Sequence, residues 1–193
     1  VMKLDVLQTF KLLLITFTGM AATVAVGLIV YGGNVFTPSS VGFAFLSFGL
    51  SGAFIFAFYH VWGLKGTITA AALVSAMQFL VSLIWFPIVN ALIWSFGVNM
   101  PAVALAFVFE RKLAHFKQAK FTVVAITYSV MFVLLTLLVA ALTGVEMLPS
   151  TLFRDNSIDG LLIGLGLGLG IEAAEALVKS WEENKKVAAE KQV

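Results

Sequence analysis

The sequence predicts an all-α fold: a single integral membrane domain over residues 1–193, built as a bundle of six transmembrane helices with both termini cytoplasmic. Two observations lead to this prediction. Of the 193 residues, 61% are hydrophobic and 11% are charged, and the mean hydropathy is +1.03, far from the soluble globular norm. The charged residues also lie in short clusters, and the apolar runs between them are long enough to cross a hydrocarbon core of about 30 Å.

The first two helices follow from an uncharged stretch between Lys11 and Lys65, which is too long for one crossing. The turn-forming residues GGNVFTPSS at 32–40 divide this stretch, so helices are predicted at 12–31 and 41–63. A charged side chain costs about 2.5–3.5 kcal/mol at the bilayer centre. Lys65 is therefore expected to mark a boundary between spans.

A second uncharged stretch runs from Lys65 to Glu110 and is again long enough for two crossings. Within GVNMP, Asn99 suits a helix cap and Pro101 suits the first helical turn, which favours a helix start at this point. The stretch thus predicts three elements: a third helix at 67–86, an interfacial segment at 87–97 and a fourth helix at 101–116.

A fifth helix is predicted at 121–143 and a sixth at 158–180, where the apolar run GLLIGLGLGLGIEAAEALVKSW is rich in glycine. At about 100° per residue the glycines form two stripes. These are Gly160, Gly164 and Gly168 on one side, and Gly166 and Gly170 on the other. Small residues four apart let helix backbones approach closely in lipid. We therefore expect this helix to pack between two neighbours, within the bundle or against a partner subunit.

Lysine and arginine set the orientation, because they concentrate in cytoplasmic loops. With an inside N-terminus, 11 of the 12 basic residues fall inside and only Arg154 falls outside. The inside set is Lys3, Lys11, Lys65, Arg111, Lys112, Lys117, Lys120, Lys179, Lys185, Lys186 and Lys191. We expect the plasma membrane as the location, with both termini inside.

The residue inventory argues against an enzyme. Cysteine is absent, so this chain forms no disulfide, thiolate metal site or iron–sulfur site. His60 is predicted within a helix and His115 in a loop, which disfavours a zinc or bis-histidine haem site. The glycine run follows no strand, so it is not a phosphate-binding loop. We expect no catalytic residue, cofactor, metal or nucleic-acid partner. The expected partners are the lipid bilayer and either further membrane subunits or further copies of the chain.

Two glutamates in the sixth helix are the main candidates for function. Glu175 precedes Lys179 by four residues, a spacing that predicts an ion pair at the end of the span. Glu172 lies one turn deeper, near a helix C-terminus where the macrodipole disfavours negative charge. As an anion, Glu172 needs a cation, a hydrogen-bond donor or water from another helix, and we expect it to face protein or water instead of lipid.

Candidate partners at the same depth are Tyr59 and His60 on the second helix and Arg111 at the end of the fourth. The site hypothesis is a polar cluster for ion or substrate coupling. Its members are Tyr59, His60, Glu110, Arg111, Glu172 and Glu175. The alternative is that these side chains only anchor helix ends at the membrane interface.

Two functions fit this sequence. In the first, the chain is a small membrane transport protein: a channel, a carrier, or the membrane subunit of a multisubunit transporter, with an intramembrane carboxylate that couples transport. In the second, the chain is a noncatalytic scaffold subunit of a larger membrane complex, and its glycine stripes are docking faces. The transported solute is not predicted by any motif.

Overall fold

The structure, a computed structural model, describes residues 6–31, 41–83, 86–112, 120–144 and 149–190. Within these ranges the chain is helical and contains no strand. The predicted turn at 32–40, the predicted end of the fourth helix at 113–116 and His115 lie outside the described residues.

The helices are α1 Val6–Tyr31, α2 Val41–Ser82, α3 Ile88–Leu92, a π-helical segment Ile93–Asn99, α4 Met100–Lys112, α5 Lys120–Thr143 and α6 Pro149–Glu190. Five stretches are long and apolar enough to cross a membrane, which is compatible with an integral membrane protein. They are Val6–Val26, Leu46–Ser82, Ile88–Lys112, Thr122–Thr143 and Gly160–Val187.

Helix α2 contains a backbone break at Gly63, which has φ 60° and ψ −139°. This left-handed φ is accessible to glycine without the steric cost that a Cβ atom adds. Three residues later, Gly66 lies so close to the carbonyl group of Phe58 that no Cβ atom fits between them. In a continuous helix, residues eight apart are separated by about 12 Å along the axis. The chain therefore turns sharply at Gly63, and the beginning of the second arm touches the end of the first.

Contacts with the stretch Ile88–Lys112 show how far α2 turns. Tyr59 packs on Phe107, with ring centroids 5.2 Å apart, and Ser75 accepts a hydrogen bond from Asn99. Asn99 and Phe107 are eight residues apart, or about 12 Å along their helix. Tyr59 and Ser75 would be about 24 Å apart in a continuous helix. The two arms of α2 therefore run back alongside each other, and this matches the predicted boundary beside Lys65.

The region from 87 to 112 differs from the prediction of an interfacial segment followed by a fourth helix. Instead of an interfacial segment at 87–97 and a helix from 101, the structure has α3, the π-helical segment and α4 in one unbroken run from Ile88 to Lys112. Asn99 does not cap a helix here, because it is inside the run and its side chain bonds to two other helices. Pro101 has no amide hydrogen and its ring crowds the preceding turn, and the wider π-helical turn directly precedes it.

The first arm of α2 lies at the centre of the bundle. All eight residues at 51–58 are buried, including Ile55 and Ala57. Helix α2 packs against α1, α4 and α6, while α5 packs against α4 and most extensively against α6. Helix α1 contacts α2 and exposes large apolar side chains along much of its length, among them Phe10, Leu14 and Ile29.

Candidate functional site

A cluster of aromatic and charged side chains joins α2 to α4 near the Gly63 turn. We call it the arginine cluster, and it consists of Phe56, Tyr59, His60, Phe107, Glu110 and Arg111. The guanidinium carbon of Arg111 lies 4.8 Å from the ring centroid of Tyr59, 5.0 Å from that of Phe107 and 5.5 Å from that of Phe56. A guanidinium within about 6 Å of a ring centroid is attracted by the ring quadrupole. Three rings from two helices thus hold the charge of Arg111.

Glu110 is the most deeply buried charged residue of this cluster, with a side chain 1% exposed. Its Oε2 atom lies 3.0 Å from Nε of Arg111, the next residue, whose side chain is 22% exposed. The two side chains start from consecutive positions of one helix, so the pair is close without the alignment of a hydrogen bond. Glu110 and Arg111 therefore form a mainly electrostatic pair at the end of a membrane stretch.

His60 and Tyr59 complete the cluster on the α2 side. The His60 ring centroid is 4.4 Å from that of Phe56 and 5.7 Å from that of Tyr59. Of the residues predicted to form one site, the structure thus brings Tyr59, His60 and Arg111 together with Glu110. Helix α4 supplies the two charged side chains and the ring of Phe107, and the first arm of α2 supplies the other rings.

The two glutamates of α6 are in a different position. Glu175 forms an ion pair with Lys179, with Oε1 and Nζ 3.4 Å apart, as the four-residue spacing predicts. Glu172 is half-buried one turn before it. Within the described residues α6 packs on α2 and α5, and α4 is not among its main neighbours. Glu172 and Arg111 are therefore carried by helices that share neighbours without packing extensively on each other.

The glycines of α6 lie against two helices. A Cβ atom at Gly164 would be 2.7 Å from Cα of Ala125, and one at Gly160 would be 3.1 Å from Cα of Ser129, both on α5. On the α2 side, a Cβ atom at Gly170 would meet the carbonyl group of Gly49.

The α2 contact is reciprocal. A Cβ atom at Gly52 would meet the carbonyl group of Leu167, and one at Gly49 would be 3.6 Å from the carbonyl oxygen of Gly166. Gly166 and Gly168 are both buried. The backbones of α6 and α2 therefore cross at contact distance, with glycine on both sides.

A buried polar network connects three helices at the π-helical segment. Tyr128 of α5 donates a 2.6 Å hydrogen bond to Oδ1 of Asn99, and Nδ2 of Asn99 donates a 3.3 Å hydrogen bond to the hydroxyl of Ser75 in the second arm of α2. All three residues are at most 1% exposed. Inside a membrane bundle such bonds hold helices in one register.

Sequence reasoning missed this network, because it treated Asn99 as a helix cap and did not single out Ser75. One signal for it was present. Asn99 carries an amide in the uncharged stretch between Lys65 and Glu110, where hydrocarbon offers no hydrogen-bond partner, so an interhelical partner was required.

The arginine cluster offers charged groups, and the network around Asn99 offers neutral hydrogen-bonding groups at a different level of the bundle. Among the residues that the structure describes, no three His, Asp or Glu side chains are grouped to hold a metal ion. No known protein family, curated protein or solved structure matches this chain at a significant level.

Proposed function

We propose that this chain is a small membrane transport protein, acting as a channel, a carrier or the membrane subunit of a multisubunit transporter. The chain would cross the bilayer six times, because the 37-residue stretch Leu46–Ser82 is folded back at Gly63 and supplies two crossings. The basic residues then favour an arrangement in which both termini and the Gly63 turn face the cytoplasm.

The observation that carries the proposal is the burial of Glu110 beside Arg111 within the membrane stretch Ile88–Lys112. Ionisable side chains inside transmembrane segments are costly, and they commonly mark the paths of ions, protons or substrates. A scaffold would satisfy the same contacts with apolar residues at lower cost, since a buried ion pair often stabilises no more than a hydrophobic replacement. The Glu110–Arg111 pair is therefore better explained by the movement of an ion or proton along the chain than by a contribution to folding stability.

In this proposal Glu110 binds the coupling ion, which is a proton or a monovalent cation. Arg111 competes for the same carboxylate and is held against the rings of Tyr59 and Phe107 when the ion occupies Glu110. Glu172 provides a second carboxylate on α6, while Glu175 is engaged by Lys179 and ends the span. The glycine crossing of α6 on α2 gives a contact without interlocking side chains, along which the helices can shift.

Reconstitution of the purified chain tests the proposal. Vesicles that contain a trapped pH-sensitive dye and, separately, a trapped potassium indicator should lose an imposed gradient faster than protein-free vesicles. The opposite result has two parts. The chain co-purifies stably with other membrane proteins, and vesicles show no flux whether they contain the chain alone or the whole complex. That result would favour the noncatalytic scaffold subunit over the transporter.

A further inference from the structure

The rings and the carboxylate of the arginine cluster surround one planar cation, the guanidinium group of Arg111. Its central carbon lies 4.8 Å, 5.0 Å and 5.5 Å from the ring centroids of Tyr59, Phe107 and Phe56. Oε2 of Glu110 lies 3.0 Å from Nε of the same group. Aromatic faces and carboxylates are the groups by which proteins bind guanidinium and related organic cations. The cluster therefore has the composition of a binding site for a free guanidinium ion.

Arg111 fills this place with weak attachments. Its Nε and Nη2 atoms are buried, and they donate no hydrogen bond to any residue that the structure describes. Glu110 and Arg111 are consecutive in α4, so their side chains leave the helix about 100° apart. A guanidinium group tethered in this way does not align its N–H groups with the neighbouring carboxylate. The rings and the opposite charge thus hold the arginine without the two parallel hydrogen bonds that its chemistry allows.

An untethered guanidinium ion does not have this restriction. It carries the same charge and planar shape, so the three rings attract it in the same way. Because it is free to turn, it can direct two N–H groups at the carboxylate of Glu110, whose side chain is 1% exposed. Charge-assisted hydrogen bonds of this kind are about twice as strong as neutral ones. A free guanidinium ion therefore gains bonds in this place that Arg111 does not form there.

The Arg111 side chain can leave the cluster toward water. Arg111 is the second-last residue of the membrane stretch Ile88–Lys112, and 22% of its side chain is exposed. The residue that follows it, Lys112, is exposed. Long basic side chains at the end of a membrane helix extend readily to the interface. Displacement therefore returns the charge of Arg111 to water and leaves the place between the rings to an incoming cation.

We propose that the arginine cluster binds a guanidinium-type organic cation, which takes the place of the Arg111 side chain between the rings and pairs with Glu110. This inference rests on the proposed transport function and names the class of its substrate. Glu110 also binds the coupling ion in that function, so the organic cation and a proton exclude each other there. Charge is balanced in the exchange, because one cation replaces another on the same carboxylate.

A guanidinium gradient tests the inference when it is imposed on sealed vesicles at equal internal and external pH, with the membrane potential clamped. As guanidinium enters vesicles that contain the wild-type chain, protons should leave, and a trapped pH-sensitive dye should report a more alkaline interior. Protein-free vesicles should show no change. Urea and sodium are the matched probes, since urea has the planar shape without the charge and sodium has the charge without the shape. Neither should expel protons.

Variants test whether the exchange takes place at the arginine cluster. Glu110→Gln should abolish it. Tyr59→Leu should raise the half-saturating guanidinium concentration by about threefold to tenfold, the effect of losing one cation–π contact. Tyr59→Phe should retain the wild-type value, because the ring remains. Phe17→Leu is the matched control, since Phe17 is exposed and pairs with the ring of Phe54 outside the cluster.

Arg111→Ala separates displacement of the arginine from simple fit. Without the internal competitor, this variant should bind guanidinium at lower concentrations than the wild type does. Binding is measured as the rise in unfolding temperature at millimolar, non-denaturing guanidinium. Stabilisation of Arg111→Ala without exchange or stabilisation in the wild type would overturn the inference, because Arg111 would then keep its place in the presence of the ion.

Three other results would overturn the inference while the proposed function stands. The first is a wild-type chain that dissipates an imposed pH gradient but moves no protons in response to guanidinium. The second is equal proton movement with sodium and with guanidinium. The third is guanidinium exchange that neither Glu110→Gln nor Tyr59→Leu changes, which would place the site elsewhere. The absence of ion or proton movement under every gradient would instead overturn the proposed function.

Discussion

The hydroxyl of Tyr128 donates a 2.6 Å hydrogen bond to the side-chain oxygen of Asn99, and this bond connects α5 to the π-helical segment in the interior of the bundle. Tyr128→Phe removes this hydroxyl, so the buried side-chain oxygen of Asn99 loses its hydrogen-bond donor. We expect a loss of about 1–3 kcal/mol in the free energy of unfolding, measured by denaturant titration in detergent.

Thr143→Val is the control for this substitution, because Thr143 is exposed and its hydroxyl bonds to Val139 in its own helix. Its effect should stay within about 0.5 kcal/mol. Equal stabilities of Tyr128→Phe and the wild type would show that the network does not fix the helix register.

Replacing a glycine by alanine is predicted to lower or raise the thermal stability of the protein, depending on whether the glycine lies at a close helix crossing. Gly170→Ala and Gly164→Ala each place a methyl group against the backbone of a neighbouring helix, at Gly49 and Ala125 respectively. Overpacking of this kind costs about 1–3 kcal/mol, so both variants should unfold at lower temperature.

Gly97→Ala is the matched control. The nearest atom to its added methyl group is a side-chain carbon of Ile93 at 3.9 Å, an ordinary contact. Alanine is the better helix former by about 1 kcal/mol, so this variant should be neutral or stabilised. If all three alanine variants change the unfolding temperature equally, the close crossings of α6 are not rigid contacts.

The sequence predicted the helix faces better than the helix ends, for a physical reason. Helical periodicity fixes which glycines share a stripe, and it does so before any neighbour is known. Charge positions likewise located the break near Lys65, because lysine is excluded from the hydrocarbon core. Both signals are local, so they can be read from one stretch of sequence.

The helical run Ile88–Lys112 was less predictable, because its geometry depends on other helices. The sequence GVNMP is typical of a helix start, because asparagine is a favoured N-cap residue at helix ends that water surrounds. Here Ser75 and Tyr128 satisfy the same amide, and these partners come from distant parts of the sequence. The three rings around Arg111 could not be predicted for the same reason, since they come from both α2 and α4.

The arginine cluster can be tested with a double-mutant cycle. Arg111→Ala removes the ring contacts and one charged neighbour of Glu110, and we expect a destabilisation of about 1–3 kcal/mol. Arg111→Lys keeps the charge but loses planar stacking, so an intermediate loss is expected. When Glu110→Gln is combined with Arg111→Ala, the losses should fall short of additivity by at least about 0.5 kcal/mol in thermal unfolding. Strict additivity would mean that the two side chains do not interact.

Single cysteines test the fold-back of α2, because the natural chain has none. Lys65→Cys and Thr143→Cys are both at exposed positions. A membrane-impermeant thiol reagent should label the first from the cytoplasmic side and the second from the opposite side. If the cysteine at 65 is protected from both sides, Leu46–Ser82 crosses the membrane as one span and the six-crossing arrangement is wrong.

The most direct test of coupled transport is the decay of an imposed pH gradient across sealed vesicles that contain the purified chain. The wild type should dissipate the gradient faster than protein-free vesicles, and Glu110→Gln should abolish this activity, because the amide keeps the shape of the side chain but cannot carry its charge. Glu172→Gln should reduce the rate, while Glu175→Gln should retain it, because Glu175 is already paired with Lys179. Wild-type decay equal to that of empty vesicles, or a Glu110→Gln rate equal to the wild type, would contradict the assignment of Glu110 as the coupling carboxylate for protons.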